Sequence, residues 1–310
     1  TERRTSMKQI IRKAYAKINL GLDVVRRRLD GYHEVKMIMQ TISLHDELRF
    51  EETGGKEIIL VSNDNPLLPE DAKDNLIYKA AECIRREYGI DRGVKITLQK
   101  NIPIAAGMAG GSTDAAAVLV GVNRMFDLGF TKKELMERGV KLGADVPYCI
   151  MRGTALSEGI GEILTELPPS PKCHLVIAKP QISVSTKAVY GKLRVNELAP
   201  EEHPDIDGMT EAIRNGDLDG VISRLGNVLE TVTIPDHPEI ARIKSMMMEN
   251  GACGSLMSGS GPTVFGIYKD RELAEKTFQA LKEADDGRLT RQVYPVSYTH
   301  LRAHETRSNL

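Results

Sequence analysis

The segment Pro103-Ile104-Ala105-Ala106-Gly107-Met108-Ala109-Gly110-Gly111-Ser112-Thr113-Asp114 runs directly into Ala115-Ala116-Ala117-Val118-Leu119-Val120, and it constrains the fold more than any other part of the chain. Glycines lack a Cβ, so backbone N–H groups can approach an anion closely, and a following helix adds its unsatisfied first-turn donors and positive dipole end. Gly107, Gly110 and Gly111 are spaced for that approach, and Ser112 is placed to cap a helix over residues 112–126. A polyphosphate would fit such a loop. The same glycines would also serve a tight turn ahead of an Ala-rich helix, so the loop alone leaves both open. Two common nucleotide motifs are excluded. No lysine stands where G-x-x-x-x-G-K-[ST] requires it, and neither this loop nor Gly259-Ser260-Gly261 has the spacing G-x-G-x-x-G.

Around the loop, the apolar pattern predicts mixed strands and helices. Residues 10–23 alternate as a strand, with Ala16, Ile18, Leu20 and Leu22 on one face and Tyr15, Lys17 and Asn19 on the other. Polar chemistry is therefore expected on the second face. A turn at Asp30-Gly31 and apolar stretches at 35–44, 48–50 and 57–61 extend a β-rich opening. Helices are predicted over 75–88 and 132–142, with a strand at 94–99. Pro168-Pro169-Ser170-Pro171 can neither continue a helix nor supply ladder donors, so a boundary is expected there, between domains 7–167 and 172–296. Beyond it, strands are predicted at 174–178, 263–268 and 289–296 and helices at 187–193, 210–215, 218–229 and 238–250. Without a regular βαβ rhythm the fold class is α+β. Residues 1–6 and 297–310 are polar and aperiodic and are expected to be foreign to the fold.

Charge and cysteine usage narrow the partners. Lys+Arg 42 against Asp+Glu 43 leaves a net charge of -1, so there is no overall basic field for a nucleic acid or an anionic membrane. A small-molecule ligand is the expectation, on a monomer or weak homodimer. Cys83, Cys149, Cys173 and Cys253 form no C-x-x-C pair and read as reduced thiols of a cytoplasmic protein. The longest apolar run, residues 115–120, is far too short to span a bilayer.

Three segments together resemble the GHMP kinases. The loop at 103–113 is similar to the family's Pro-x-x-x-Gly-x-x-(Gly/Ala)-Gly-Ser-Ser/Thr motif, Ala14 to Leu20 to its first motif, and Leu256-Met257-Ser258-Gly259-Ser260-Gly261-Pro262-Thr263-Val264-Phe265 to its third. The resemblance implies two α+β domains, the first resembling ribosomal protein S5 domain 2, with the active site between them. It assigns ATP to Pro103, Gly107, Gly110, Gly111, Ser112 and Thr113, with Lys100 and Asn75 at the outer end of the nucleotide. Asp145 becomes the base and Lys17 its cationic partner, while Asn19 positions substrate or phosphate. Mg²⁺ should accompany ATP; no carboxylate cluster reads as a cage for it, and Ser112 is the one protein ligand suggested.

Asp30-Gly31-Tyr32-His33, Gly143-Ala144-Asp145-Val146-Pro147 and Gln181-Ile182-Ser183-Val184-Ser185-Thr186 are similar to the branch of the family that acts on a cytidine diphosphate ester. Singly, they read as a turn, a helix exit and a helix cap. Jointly, they imply phosphorylation of the 2-hydroxyl of a methylerythritol carried on cytidine diphosphate, in making isoprenoid precursors without mevalonate. Tyr32 and Tyr190 would then flank the cytosine, His33 would bond its edge, and Thr186 would also contact substrate. Kinases of homoserine, mevalonate or sugars are the nearest alternative, against which the Asp-Gly-Tyr-His segment argues. A non-catalytic ligand sensor is the other, and it would need neither Lys17 nor Asp145.

Overall fold

The computed structural model describes residues 8–62, 71–287 and 289–298. Residues 1–6 and 299–310, most of the segments expected to be foreign, lie outside the described residues. Ser297 and Tyr298 do not: Ser297 ends the last strand and Tyr298 is buried, bridging to Ile42. Both therefore belong to the fold, which corrects the expectation for those two residues.

Two long strands, β1 (Gln9–Arg27) and β2 (His33–Thr53), form an antiparallel hairpin. At its tip, Asp30 Oδ1 accepts the Tyr32 N–H at 3.1 Å and Gly31 takes φ 87°. The apolar stretches 35–44 and 48–50 merge into one strand because β2 serves two further neighbours along its length. With β3 (Ile58–Ser62), β4 (Gly93–Gln99), β5 (Thr154–Glu158) and β6 (Ile163–Leu167) in place, β5 pairs with Met37–Gln40 and β4 with Glu47–Thr53. β5 and β6 were not expected, although Gly153 before them and Gly159 and Gly161 between them mark the turns of a hairpin.

Past Pro168 to Pro171, β7 (His174–Pro180) opens a second sheet. The chain returns once to the first sheet through β8 (Gly226–Asn227), parallel to β1. Then β9 (Gly254–Met257), β10 (Val264–Tyr268) and β11 (Thr290–Ser297) complete the second sheet in the order β11-β7-β10-β9. The first sheet has seven strands, with the path β3-β4-β2-β1-β8 and β5 and β6 branching from β2.

Helices α1 (Leu76–Tyr88), α2 (Gly110–Met125), α3 (Lys132–Gly139) and α4 (Val146–Met151) accompany the first sheet. They are followed by α5 (Thr186–Lys192), α6 (Ile206–Arg214), α7 (Leu218–Ile222), α8 (Glu230–Asp236), α9 (Pro238–Glu249) and α10 (Arg271–Glu283). The helix expected over 218–229 stops at Ile222, where the chain extends into β8. Gly143 to Pro147 leads into a helix, not out of one: Asp145 is its N-cap and Pro147 lies in its first turn, where a missing N–H costs nothing. Among the described residues no helix is long and apolar enough to cross a membrane.

The alternation in β1 holds only between its register shifts at Tyr15/Lys17 and Asn19/Gly21, and Ala14, before the first, lies in the other core cluster from Ala16. Ala16, Ile18 and Leu20 join one core cluster, whereas Leu22 and Val24 join the other. The cause is a bulge: Asn19 pairs with Met39 but Gly21 with Ile38, so Leu20 is the extra residue and the faces exchange after it. Leu22 therefore shares the side of Lys17 and Asn19, correcting its expected place.

Helix α2 is buried along almost its whole length, from Thr113 to Val122, because it lies between the first sheet and its neighbouring helices. Gly121 is where it comes closest to the sheet: a Cβ there would stand 2.6 Å from Cζ of the fully buried Phe50. Gly121→Val should therefore destabilise the protein by about 1–3 kcal/mol through overpacking. The check is the midpoint and slope of urea unfolding; an unshifted midpoint would mean that α2 can move off the sheet without cost.

Candidate active site

Lys17 lies in the middle of β1 and is almost wholly buried, so its ammonium requires acceptors. Three are within reach. Asn19 Oδ1 accepts at 2.7 Å, the Gly107 carbonyl at 3.3 Å, and Asp145 Oδ2 stands 3.8 Å away. Asn19 is two residues on along the same face, Gly107 belongs to the loop before α2, and Asp145 caps α4. The remaining polar group of Asn19, Nδ2, faces Met37 Sδ at 3.2 Å. Asp145 keeps about a third of its side chain exposed, so its carboxylate is anchored at one edge and open at the other.

The loop before α2 is shaped by three left-handed residues at alternate positions, Ala105 (φ 52°), Gly107 (φ 72°) and Ala109 (φ 57°). Such alternation turns successive amides toward one concavity. Ala109 is the N-cap and makes no side-chain cap bond, so the first-turn N–H groups of Gly110, Gly111 and Ser112 have no acceptor within the helix. Ser112 thus sits inside the first turn and does not cap it, contrary to expectation. It is half-buried and borders the cleft.

Beneath the loop, Lys100 is clasped by Asp46 at 2.5 Å and Asp114 at 2.8 Å. Burial alone would lower its pKa, but the two carboxylates raise it overall. The same burial pushes the Asp114 carboxyl well above the usual carboxylate range, against the pull of Lys100. Asp46 also accepts the N–H groups of Asn101 and Ile102 at 2.6 and 2.7 Å, so the strand end and loop entry are held by one carboxylate.

These parts line a single cleft of about 1000 Å³. Of the residues singled out in the sequence, Lys17, Asn19, Tyr32, His33, Asn75, Lys100, Pro103, Gly107, Gly110, Gly111, Ser112, Asp145, Thr186 and Tyr190 all border it. Thr113 does not. Its hydroxyl donates to the Tyr15 carbonyl at 2.8 Å and ties α2 to β1, so it is withdrawn as a triphosphate contact. Lys100 borders the cleft, but its ammonium is engaged by Asp46 and Asp114 in the wall. Asn75 spends its carbonyl oxygen on the N-cap of α1, accepting from Ile77 N–H at 2.9 Å.

The opposite wall comes from the segment similar to the family's third motif, none of whose residues was given a role, and from Thr186, expected to contact substrate. Ser258 Oγ donates to the Gly107 carbonyl at 3.0 Å, and Ser260 Oγ meets Thr186 Oγ1 at 2.8 Å. Asn227 fixes this segment by donating to the Met257 and Gly259 carbonyls, both at 2.8 Å. The Gly-Ser-Gly run signalled a tight loop; its partner at Asn227 carried no local signal. At the outer end, the rings of His33 and Tyr190 lie 5.2 Å apart and tilted by 46°, while Tyr32 is 62% exposed beside them. Burial, then the neighbouring Arg27 charge, lowers the His33 pKa below its ordinary 6.5.

A cleft that sets a cradle of amides beside a lysine–carboxylate pair is suited to moving a phosphoryl group. The family comparison agrees: residues 75–153 match the GHMP kinases N terminal domain and residues 209–286 the GHMP kinases C terminal domain. The chain belongs to the GHMP kinases. It is 52% identical over 288 residues to 4-diphosphocytidyl-2-C-methyl-D-erythritol kinase of Lachnospira eligens, covering 93% of this chain and 98% of that one. The enzyme of the same name from Lachnoclostridium phytofermentans is 51% identical, over 90% of this chain and 94% of the relative. A crystal structure of 4-(cytidine 5'-diphospho)-2C-methyl-D-erythritol kinase superposes with a TM-score of 0.78 at 30% identity, covering 94% and 100% of the two chains. The homoserine kinase of Cytophaga hutchinsonii, at 20% identity, 96% coverage of both chains and a TM-score of 0.75, shares the fold.

Two glycines of the loop should respond differently. A Cβ on Gly110 would meet Lys100 Nζ at 3.0 Å and Ile102 Cγ2 at 3.1 Å, whereas one on Gly107 would fall 2.2 Å from the Ser258 carbonyl oxygen. Gly110→Val is expected to weaken ATP binding by tenfold or more, about 1.4 kcal/mol, and to leave the acceptor nearly unaffected. Gly107→Ala should weaken both, since it forces the two walls apart. Separate calorimetric titrations check this; equal losses in both variants would contradict the division.

Proposed function

We propose that the chain transfers the γ-phosphoryl group of ATP to the 2-hydroxyl of 4-diphosphocytidyl-2-C-methyl-D-erythritol, with residues 7–167 and 172–296 as its two domains, the second extended by Ser297 and Tyr298. The observation that carries this is the placing of Lys17 and Asp145 between the amide cradle and the aromatic pair His33–Tyr190, so that a donor and a nucleotide-linked acceptor can meet over one carboxylate. Relatives named for that activity, at about half identity across nearly the whole chain, support the choice of acceptor.

In this arrangement the amides of Gly110, Gly111 and Ser112 hold the triphosphate. Asp145 accepts the hydroxyl proton at its open edge while Lys17 keeps the carboxylate oriented and stabilises the developing alkoxide. Asn19 fixes the Lys17 ammonium and thereby its direction. Magnesium, when bound, neutralises charge on the transferred phosphate and its leaving group. Ser112, at the rim of the amide cradle, would offer such an ion one hydroxyl, with phosphates and water as the other ligands.

Incubating the protein with ATP, Mg²⁺ and a panel of alcohols, followed by mass spectrometry, tests the acceptor; turnover of homoserine or mevalonate in preference to the cytidine ester would overturn it. Asp145→Asn should bind both substrates but lose about 10²-fold in kcat, the lower part of the range for a general base, because a loose transition state asks less of it. A variant within about threefold of the parent would remove Asp145 from that role.

His33 is proposed to read the cytosine edge, with Tyr32 and Tyr190 on the ring faces. His33→Ala should raise KM for the cytidine substrate and shrink its advantage over the uridine analogue by about 5- to 150-fold, the cost of one unmatched polar group. Because the folded imidazole has a lowered pKa, it keeps its neutral form to lower pH than an unshifted imidazole. KM for the cytidine substrate should therefore rise mainly below pH 6.5. The linked stability has the same sign: it is full above 6.5 and is lost as pH falls from 6.5 through the lower folded value. A KM that already rises between pH 7.5 and 6.5 in the parent but not in His33→Ala would contradict the neutral reader.

A further inference from the structure

Four cationic side chains border the cleft: Lys17, Arg27, Lys100 and Lys187. Two are already matched by carboxylates in its wall, Lys17 by Asp145 and Lys100 by Asp46 and Asp114. Arg27 and Lys187 form no ion pair or side-chain hydrogen bond with another described residue. Their neighbours do. Arg26 pairs with Glu34 at 2.5 Å and Arg28 with Asp30 at 2.9 Å, while strand alternation turns Arg27 to the other face, beside His33. On α5, Lys192 pairs with Asp236 at 2.6 Å and Lys187 has no such partner.

The position of Lys187 is more telling than its charge. Thr186, one residue before, is bonded to Ser260 in the wall that touches Gly107 and so belongs to the reacting end. Tyr190, one helical turn after, packs on His33 at the outer end. The four steps from Thr186 to Tyr190 advance roughly 6 Å along the helix, and Lys187 stands between them, on the side of Tyr190. An acceptor whose alcohol lies at Asp145 and whose base lies at His33 must pass its diphosphate along that stretch. We infer that Lys187 is the diphosphate anchor of the acceptor substrate, with Arg27 adding positive charge at the nucleoside side; this rests on the cytidine-diphosphate acceptor proposed above. A lysine ammonium suits a mobile, doubly charged diphosphate because it is a compact donor without a fixed fork geometry.

The test separates phosphate recognition from base recognition by using CDP and cytidine as competitive inhibitors against the acceptor. In Lys187→Gln the affinity for CDP should fall about 5- to 30-fold while that for cytidine stays within twofold, and KM for the acceptor should rise in parallel with CDP. Lys187→Arg should restore most of the loss, and Arg27→Gln should show a smaller one. The acceptor KM should also depend less steeply on salt in Lys187→Gln than in the parent. Equal losses for CDP and cytidine, or unchanged constants for both, would overturn the assignment. If the parent protein turns over the cytidine diphosphate ester and Lys187→Gln behaves like it, the lysine assignment alone fails; if the parent does not turn it over, the acceptor itself was misassigned.

Discussion

A buried ammonium in the middle of a strand is the constraint around which the rest is arranged. Lys17 cannot be left without acceptors at that depth, and it draws them from three separate parts of the chain: its own strand, the loop before α2, and the start of α4. The backbone reinforces this, since the Lys17 N–H donates to the Met108 carbonyl at 3.2 Å. The group proposed to stabilise charge in the reaction is thereby also the group that spans the distance between the loop before α2 and the carboxylate of Asp145. Such coupling makes the site rigid where chemistry happens, because Lys17 cannot swing toward a substrate without abandoning buried partners.

Behind the loop a second buried charge group works on a different problem. Three left-handed residues within five positions, two of them alanines, are unfavourable in isolation. Asp46 compensates by gripping the chain just before the loop through two backbone amides, and Lys100 joins it to Asp114 in α2, so both ends of the strained segment are tied to one network. The opposite wall closes the arrangement. Gly107 and Gly259 meet so closely that a Cβ on Gly259 would lie 3.0 Å from the Gly107 carbonyl oxygen, which makes this backbone contact possible only between glycines. Asn227, arriving from the brief return to the first sheet, holds the Gly259 side in place.

How much of this could be read beforehand follows from the range of each signal. Motif residues that bind through the backbone, such as Gly107, Gly110 and Gly111, were legible because a missing side chain is itself the requirement. Lys17 and Asn19 were legible through alternation, which is local. The bulge at Leu20 was not, since it depends on the register of β2, and so Leu22 was placed on the wrong face. Thr113 was misassigned for a similar reason: within a helix, residues one position apart point about 100° apart, and only the packing of α2 on β1 decides which hydroxyl faces the cleft. Pro147 misled because the same residue can begin a helix or follow one. Asn227 joins the site from 30 and 32 residues before the Met257 and Gly259 carbonyls that it holds, with nothing nearby in sequence to mark it.

Chemistry and selectivity are supplied by different parts of the cleft. In the proposed mechanism the floor, made of Lys17, Asp145 and the amide cradle, deals with the hydroxyl and the triphosphate that every kinase of an alcohol must handle. A homoserine kinase with the same fold at 20% identity shows that the architecture does not fix the acceptor. In the proposed arrangement selection falls to the rim, built from the tip of the β1–β2 hairpin, which carries Arg27, Tyr32 and His33, and from α5, which carries Thr186, Lys187 and Tyr190. The hairpin tip is exposed, with Leu29 and Tyr32 open to solvent, and α5 is a short helix with only Val189 buried. Few core contacts depend on either, so their side chains can differ without unsettling the buried charges below. An acceptor with a flat base at one end and two phosphates in the middle matches that rim part by part.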